Sequence, residues 1–65
     1  MESSVIRSYR YDPAEHNLDL VFVSGKHYRY HDVPEETYQE MRQAFSTGEF
    51  FNANIRDQYR HTRQN

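Results

Sequence analysis

Residues with chemical potential concentrate in the stretch GKHYRYHDVP, Gly25 to Pro34, where His27, Arg29 and His31 alternate with Tyr28 and Tyr30. On an extended strand successive side chains point to opposite faces, so this spacing makes one cationic row and one aromatic row. A cationic row can neutralise phosphates, and an aromatic row can fill a core or stack on a flat ligand such as a nucleic-acid base. Metal binding is the competing chemistry for histidines. His27 and His31 are four residues apart, which on a strand is roughly 13 Å at about 3.3 Å per residue, too far to share one ion. The chain has no cysteine and no His-Glu-x-x-His run, so no metal or other cofactor is expected.

The same inventory speaks against catalysis. Ser3, Ser4, Ser24, Thr37, Ser46, Thr47 and Thr62 fall in turn, cap or terminal contexts, and no Gly-x-Ser-x-Gly elbow is present. Glu35 and Glu36 read as charges at a helix N-terminus rather than as an acid–base pair. Gly25 and Gly48 stand alone, which excludes a glycine-rich phosphate loop. A chain of 65 residues also has little room for a pocket of the usual size. The sequence therefore reads as a non-enzyme.

The elements that would position these residues must belong to one small domain spanning residues 1–65, which buries only about 60% of the surface its unfolded chain exposes. Leu, Ile, Val and Phe supply twelve residues, and six tyrosines supply much of the remaining apolar area. The core is accordingly expected to be rich in tyrosine, with hydroxyls at its rim. The formal net charge of −2 argues against coating nucleic acid by charge alone, but the charge is unevenly placed. Acids gather at Glu35, Glu36 and Glu40, whereas Arg56, Arg60 and Arg63 face Asp57 alone toward the C-terminus. The opening MESSVIRSYR lacks an apolar signal core and no run approaches a membrane span, so a cytoplasmic protein with no membrane partner is expected.

Along the first half, period-two patterns predict strands. In NLDLVFVSG, Leu18, Leu20 and Phe22 share a face, with Asp19, Val21 and Val23 on the other. A two-residue hairpin loop would set the basic row opposite Leu20 and Phe22 and split the apolar face. A three- or five-residue loop centred on Gly25 instead pairs Phe22 with Tyr28 and Leu20 with Tyr30, giving one continuous face. The stretch SSVIRSYRYD reads as a preceding strand ending at Asp12-Pro13. Tyr9 and Tyr11 share one parity and Ile6 has the other, which calls for a bulge near Ser8 or an Ile6 facing away from the core.

The second half changes period. Pro34 with Glu35 and Glu36 opens a helix, Tyr38, Met41 and Phe45 form its apolar stripe, and Gly48 suits the position past its end. Phe51, Ile55 and Tyr59 predict a second, shorter helix that carries Arg56, Arg60 and Arg63 on an adjacent side. The final HTRQN reads as a frayed tail. Ser46 or Thr47 is expected to aid entry into the second helix.

The run from the Tyr11-Asp12 pair to Tyr59 resembles the KTSC domain, a short bacterial module named after an extension at the C-terminus of some lysyl-tRNA synthetases and also found alone. The resemblance is carried by Tyr28-x-Tyr30, by Val33-Pro34, and by Ser46, Gly48, Phe50, Phe51 and Asn52 in order. It implies no catalytic residue, and it implies RNA as a partner through the synthetase attachment.

Together these readings give an α+β fold, a three-stranded antiparallel meander followed by two helices packed on one face. The expected function is a non-catalytic binding module with RNA, tRNA-like, as the leading partner. Lys26, His27, Arg29, Arg56 and Arg60 would contact phosphates, with Tyr28 or Tyr30 reaching a base only where the helices leave a ring exposed. The alternative is a protein-interaction or self-associating domain that uses Val21 and Val23 on the open sheet face.

Overall fold

The computed structural model describes residues 6–64; the expected start of the first strand, Ser3 to Val5, and the terminal Asn65 lie outside them. The order is β1 (Ile6–Asp12), β2 (Asn17–Phe22), β3 (His27–Tyr30), α1 (Glu35–Gln43), α2 (Thr47–Asn54) and β4 (His61–Arg63). All neighbouring strands are antiparallel, in the spatial order β1-β2-β3-β4. The α+β class and the two helices match the sequence reading, while the meander has a fourth strand where a tail was expected.

Asp12-Pro13 makes the first turn for identifiable reasons. Proline presets the turn backbone, the Asp12 carbonyl accepts from the His16 N–H at 2.7 Å, and the Asp12 carboxylate accepts from the Ala14 N–H at 3.0 Å. On β1 the register shifts between Ile6 and Ser8, leaving Arg7 as the bulged residue. The bulge reconciles the parities, so Ile6, Tyr9 and Tyr11 all pack on the core.

The β2–β3 hairpin keeps the expected face but not the expected partners. Leu18 opposes Tyr30 and Leu20 opposes Tyr28, two residues from the register predicted. The loop is Val23-Ser24-Gly25, centred on Ser24, with the Phe22 N–H donating to the Lys26 carbonyl at 2.9 Å and the Gly25 N–H to the Phe22 carbonyl at 2.8 Å. Gly25 takes φ 95°, the position in such a loop that a side chain would strain. A two-residue slip preserves strand parity, which is why the apolar face survives it.

Both helices cover that face. The fully or nearly fully buried core is Leu18, Leu20, Tyr30, Val33, Met41, Phe51 and Ile55. Tyr38 of α1 stacks on Tyr11 with ring centroids 4.6 Å apart and meets Tyr9 edge-on at 6.1 Å, seating α1 over β1. Phe51 of α2 meets Phe22 at 5.7 Å and Tyr30 at 5.3 Å, seating α2 over β2 and β3. Helix α1 stops at Gln43, two residues short of the last position of the expected stripe, and Phe45 is fully exposed as a result. Gly48 lies inside α2 rather than past the end of α1, and Ser46 caps α2 by accepting from the Glu49 N–H at 3.2 Å.

The expected arginine helix is not formed. Helix α2 ends at Asn54, Ile55 still reaches the core, and the chain turns through residues 55–59 to return beside β3. Asn52, Asn54 and Asp57 are poor helix formers, and the strand pairing offers β3 partners for edge groups that a longer helix would leave in water. The His31 N–H donates to the Arg60 carbonyl and the Gln64 N–H to the His27 carbonyl, each at 2.8 Å.

Tyr11 ties the sheet to the segment entering α1, its hydroxyl donating to the Val33 carbonyl at 2.6 Å. Burial, then the Glu35 and Asp12 carboxylates, raise its pKa above the ordinary 10.0, and burial raises Tyr30 as well, against the opposing charge of Arg56. The folded protein thus holds these phenolic protons more tightly than the unfolded chain. Their contribution is complete below about pH 10 and is lost as pH rises from there through the folded values, because the unfolded chain ionises first. Tyr11→Phe should cost about 1 kcal/mol at neutral pH and shallow the alkaline loss. Urea unfolding at neutral pH and above pH 10 measures both, and identical curves for the two proteins would refute the assignment.

Candidate nucleic-acid interface

Strand parity sorts the candidate residues onto two faces. His27 and Arg29 point away from the helices, with His27 opposite Val21 and Arg29 opposite Asp19 on β2. Tyr28 and Tyr30 point toward them; Tyr30 is 4% exposed and Tyr28 is half-buried. Tyr30 is therefore a core residue, and of the two rings Tyr28 alone has surface to offer. Lys26 is exposed at the end of the hairpin loop.

Arg29 is not a bare cation. Its Nε donates to Asp19 Oδ1 at 2.8 Å and its second amino group to Oδ2 at 3.3 Å, a bidentate pair on a partly exposed surface. That hydrogen bond, followed by the Asp19 charge itself, raises the guanidinium pKa further. Arg10 on β1 opposes Asp19 from the other side, so Arg10, Asp19, Arg29 and Thr62 form one row across the four strands. An open depression lies along this row, lined by Arg10, Tyr11, Asp12, Pro13, Asp19 and Arg29. Its two arginines are matched by two aspartates. As an anion site it is electrically balanced.

The C-terminal arginines do not share a helix face. Arg56 sits just past α2, its guanidinium 3.4 Å from the Asn52 carboxamide oxygen, on the helix side where its charge reaches Tyr30. Arg60 immediately precedes β4 and lies 3.6 Å from Asp32, with both side chains largely exposed. Such a pair contributes little and leaves the guanidinium available to a stronger acceptor.

Sequence reasoning missed the residues that β4 supplies. His61 opposes Tyr30 and Arg63 opposes Tyr28, both on the helix side of the sheet, while Thr62 opposes Arg29 on the outer side. His31, beyond the end of β3, shares a 2.7 Å hydrogen bond with the Thr62 hydroxyl. His61, Thr62 and Arg63 are all polar, so no apolar alternation separates this strand from a tail in the sequence.

Among the described residues no group of three or more potential ligands is placed to hold a metal ion, and no helix is long and apolar enough to cross a membrane. The sequence pattern of the KTSC domain matches residues 2–59. The chain belongs to the KTSC domain family. A KTSC domain protein from Yersinia pestis, known by crystallography, superimposes with a TM-score of 0.91 at 32% identity, over 100% of this chain and 92% of that one. A protein of Tsukamurella paurometabola is 42% identical over 60 residues, covering 92% of this chain and 90% of its own. A lysine–tRNA ligase of Nostoc is 38% identical over 60 residues, which span 92% of this chain but only 11% of the ligase. The KTSC domain thus occurs both as nearly a whole small protein and as a minor part of a large one. The family pattern ends before β4, so the basic strand must be judged on its own geometry.

Proposed function

We propose that this KTSC domain binds single-stranded or looped RNA without catalysing a reaction on it, using the ribbon formed by β3 and β4. One observation carries the reading. Residues 26–32 and 60–64 are far apart in the chain, and pairing of β4 with β3 joins them into one edge of the sheet. These twelve positions hold Lys26, Arg29, Arg60 and Arg63, half of the eight Lys and Arg residues, but Asp32 is the one acid among the ten Asp and Glu residues. Three histidines, His27, His31 and His61, lie in the same ribbon. The ribbon's four cations thus outnumber the acids that touch it, Asp32 within it and Asp19 paired with Arg29 from β2, while Glu35, Glu36, Glu40 and Glu49 lie on the helices.

The arrangement suits phosphates better than a carboxylate-bearing small molecule. Phosphates recur along a flexible strand at a spacing that distributed guanidinium groups can follow, and no enclosed cavity is needed. Asp19 restrains Arg29 on the outer face, whereas Arg60 meets Asp32 only in a long, exposed pair; Arg63 lies on the other face of the ribbon, Lys26 at the loop and Arg56 beside it. Occurrence of the same domain within a lysine–tRNA ligase, a protein named for a tRNA substrate, is consistent with this reading.

The test is a salt series of oligoribonucleotide binding. Replacing Arg60 and Arg63 together by alanine should weaken binding and reduce the slope of log affinity against log salt by about 1.4, at roughly 0.7 per phosphate contact on a single strand. Both residues are exposed, so the fold should be unaffected. A slope unchanged by the double substitution would remove the ribbon from the interface.

A further inference from the structure

The two faces of the ribbon are chemically different. On the outer face Arg29 is engaged by Asp19 and His31 by Thr62. On the helix side, β4 extends past the area that α2 covers, and three rings meet there. The His61 imidazole lies against Tyr30 with centroids 5.0 Å apart and planes inclined by 30°, a stacked arrangement. Tyr28 stands nearly perpendicular to the same imidazole, at 5.4 Å and 87°. His61 is exposed, Tyr30 is buried beneath it, and Tyr28 is half-buried beside it. Tyr30 supports the imidazole by stacking, Tyr28 stands beside it at right angles, and the exposure of His61 leaves ring surface open to solvent.

We infer that His61 is a stacking platform for one nucleic-acid base, held in place by Tyr30 and bounded by Tyr28, with Arg63 placed for the adjoining phosphate. This deepens the RNA-binding reading and rests on it. A platform must be flat, exposed and fixed. Planarity and exposure belong to His61 itself, and rigidity comes from its support: the imidazole is stacked on a core ring, and its backbone lies in a strand pair closed on either side by the hydrogen bonds His31 to Arg60 and Gln64 to His27. A ring already ordered in the free protein loses little rotamer freedom when a base settles on it. Arg63 lies two residues along the same strand face, opposite Tyr28, which puts a cation at the next same-face position from the platform, and Arg56 approaches from the end of α2. A planar group flanked by cations on one side of a single strand is the combination that base stacking with phosphate contact requires.

The experiment compares a short oligoadenylate with an abasic ribose–phosphate chain of equal length, by fluorescence anisotropy at low salt. The wild-type protein should bind the oligoadenylate more tightly by roughly five- to a hundredfold, the range that loss of one base–aromatic stack covers. His61→Ala and His61→Lys should abolish that difference, the lysine variant keeping a cation but no ring, and His61→Phe should preserve it. Amide spectra of each variant verify that residues 61–63 remain paired with β3. Equal wild-type affinity for both chains, or a preference for bases that survives in His61→Ala, would overturn the platform while leaving the phosphate-binding ribbon standing. Failure of either chain to bind at low salt would reject both.

Discussion

Phe51→Ala is expected to leave the domain largely unfolded at physiological temperature. Phe51 is 1% exposed and its ring meets both Phe22 and Tyr30, so it is the side chain through which α2 is held on the sheet. Truncation of a buried phenylalanine costs about 3–5 kcal/mol through lost burial and the cavity left behind. A chain of this length, at roughly 0.05–0.15 kcal/mol per residue, has only about 3–10 kcal/mol to lose. Among the described residues seven side chains are buried, which leaves few neighbours able to collapse into the space. Phe45→Ala is the matched control: Phe45 is fully exposed at the corner between the helices, and its loss should change stability by no more than about 0.5 kcal/mol. Thermal and urea melts followed by circular dichroism separate the two. A Phe51→Ala protein with a wild-type midpoint would mean that α2 is not anchored in this way.

Thr62→Pro should weaken RNA binding by at least roughly tenfold without altering a single charge. Thr62 is the middle residue of β4, opposite Arg29. Arg60 and Gln64, two positions away on either side, turn their backbone groups to β3, and a strand's alternation directs the Thr62 N–H the same way. Proline has no N–H to donate and cannot occupy a paired position of this kind. With β4 released, Arg60, His61 and Arg63 sit on a loose segment, and ordering each rotamer-rich side chain on binding costs about 0.5–1.5 kcal/mol. None of the seven core residues lies in β4, so the remaining fold should persist with a stability loss of roughly 1–3 kcal/mol. Hydrogen exchange at residues 61–63 reports the release. Loss of strand protection with wild-type affinity would show that the charges suffice without their arrangement, and the ribbon would lose its role.

The particular elements show which parts of the structure were legible from local pattern. Parity placed Leu18, Leu20, Phe22, Tyr28 and Tyr30 on one face correctly, because alternation is a property of the strand itself. The pairing register depended on where the hairpin loop was centred, and loops centred on Ser24 and on Gly25 both keep that parity. The start of α1 was legible from Pro34 with Glu35 and Glu36. Its end was not, because Tyr38, Met41 and Phe45 continue the helical spacing while the backbone leaves the helix at Ala44. Phe51 and Ile55 were correctly paired as inward residues, although Ile55 caps α2 instead of continuing it.

What the sequence by itself determined is the inward face of β2 and β3, the two-helix second half, the tyrosines that pack in and around the core, and membership of the KTSC family. Each follows from short-range spacing or from ordered motifs that can be read without knowing what touches what. The tertiary structure alone decided that residues 61–63 form a strand. That segment contains no apolar residue, and its stabilising partners lie about thirty positions earlier, as in the hydrogen bond between His31 and Thr62. Local propensity carries no information about a partner so distant. The candidate interface inherits the same physics: its cations come from two ends of a loop that spans both helices, and they become one surface only when the edge of β3 is paired.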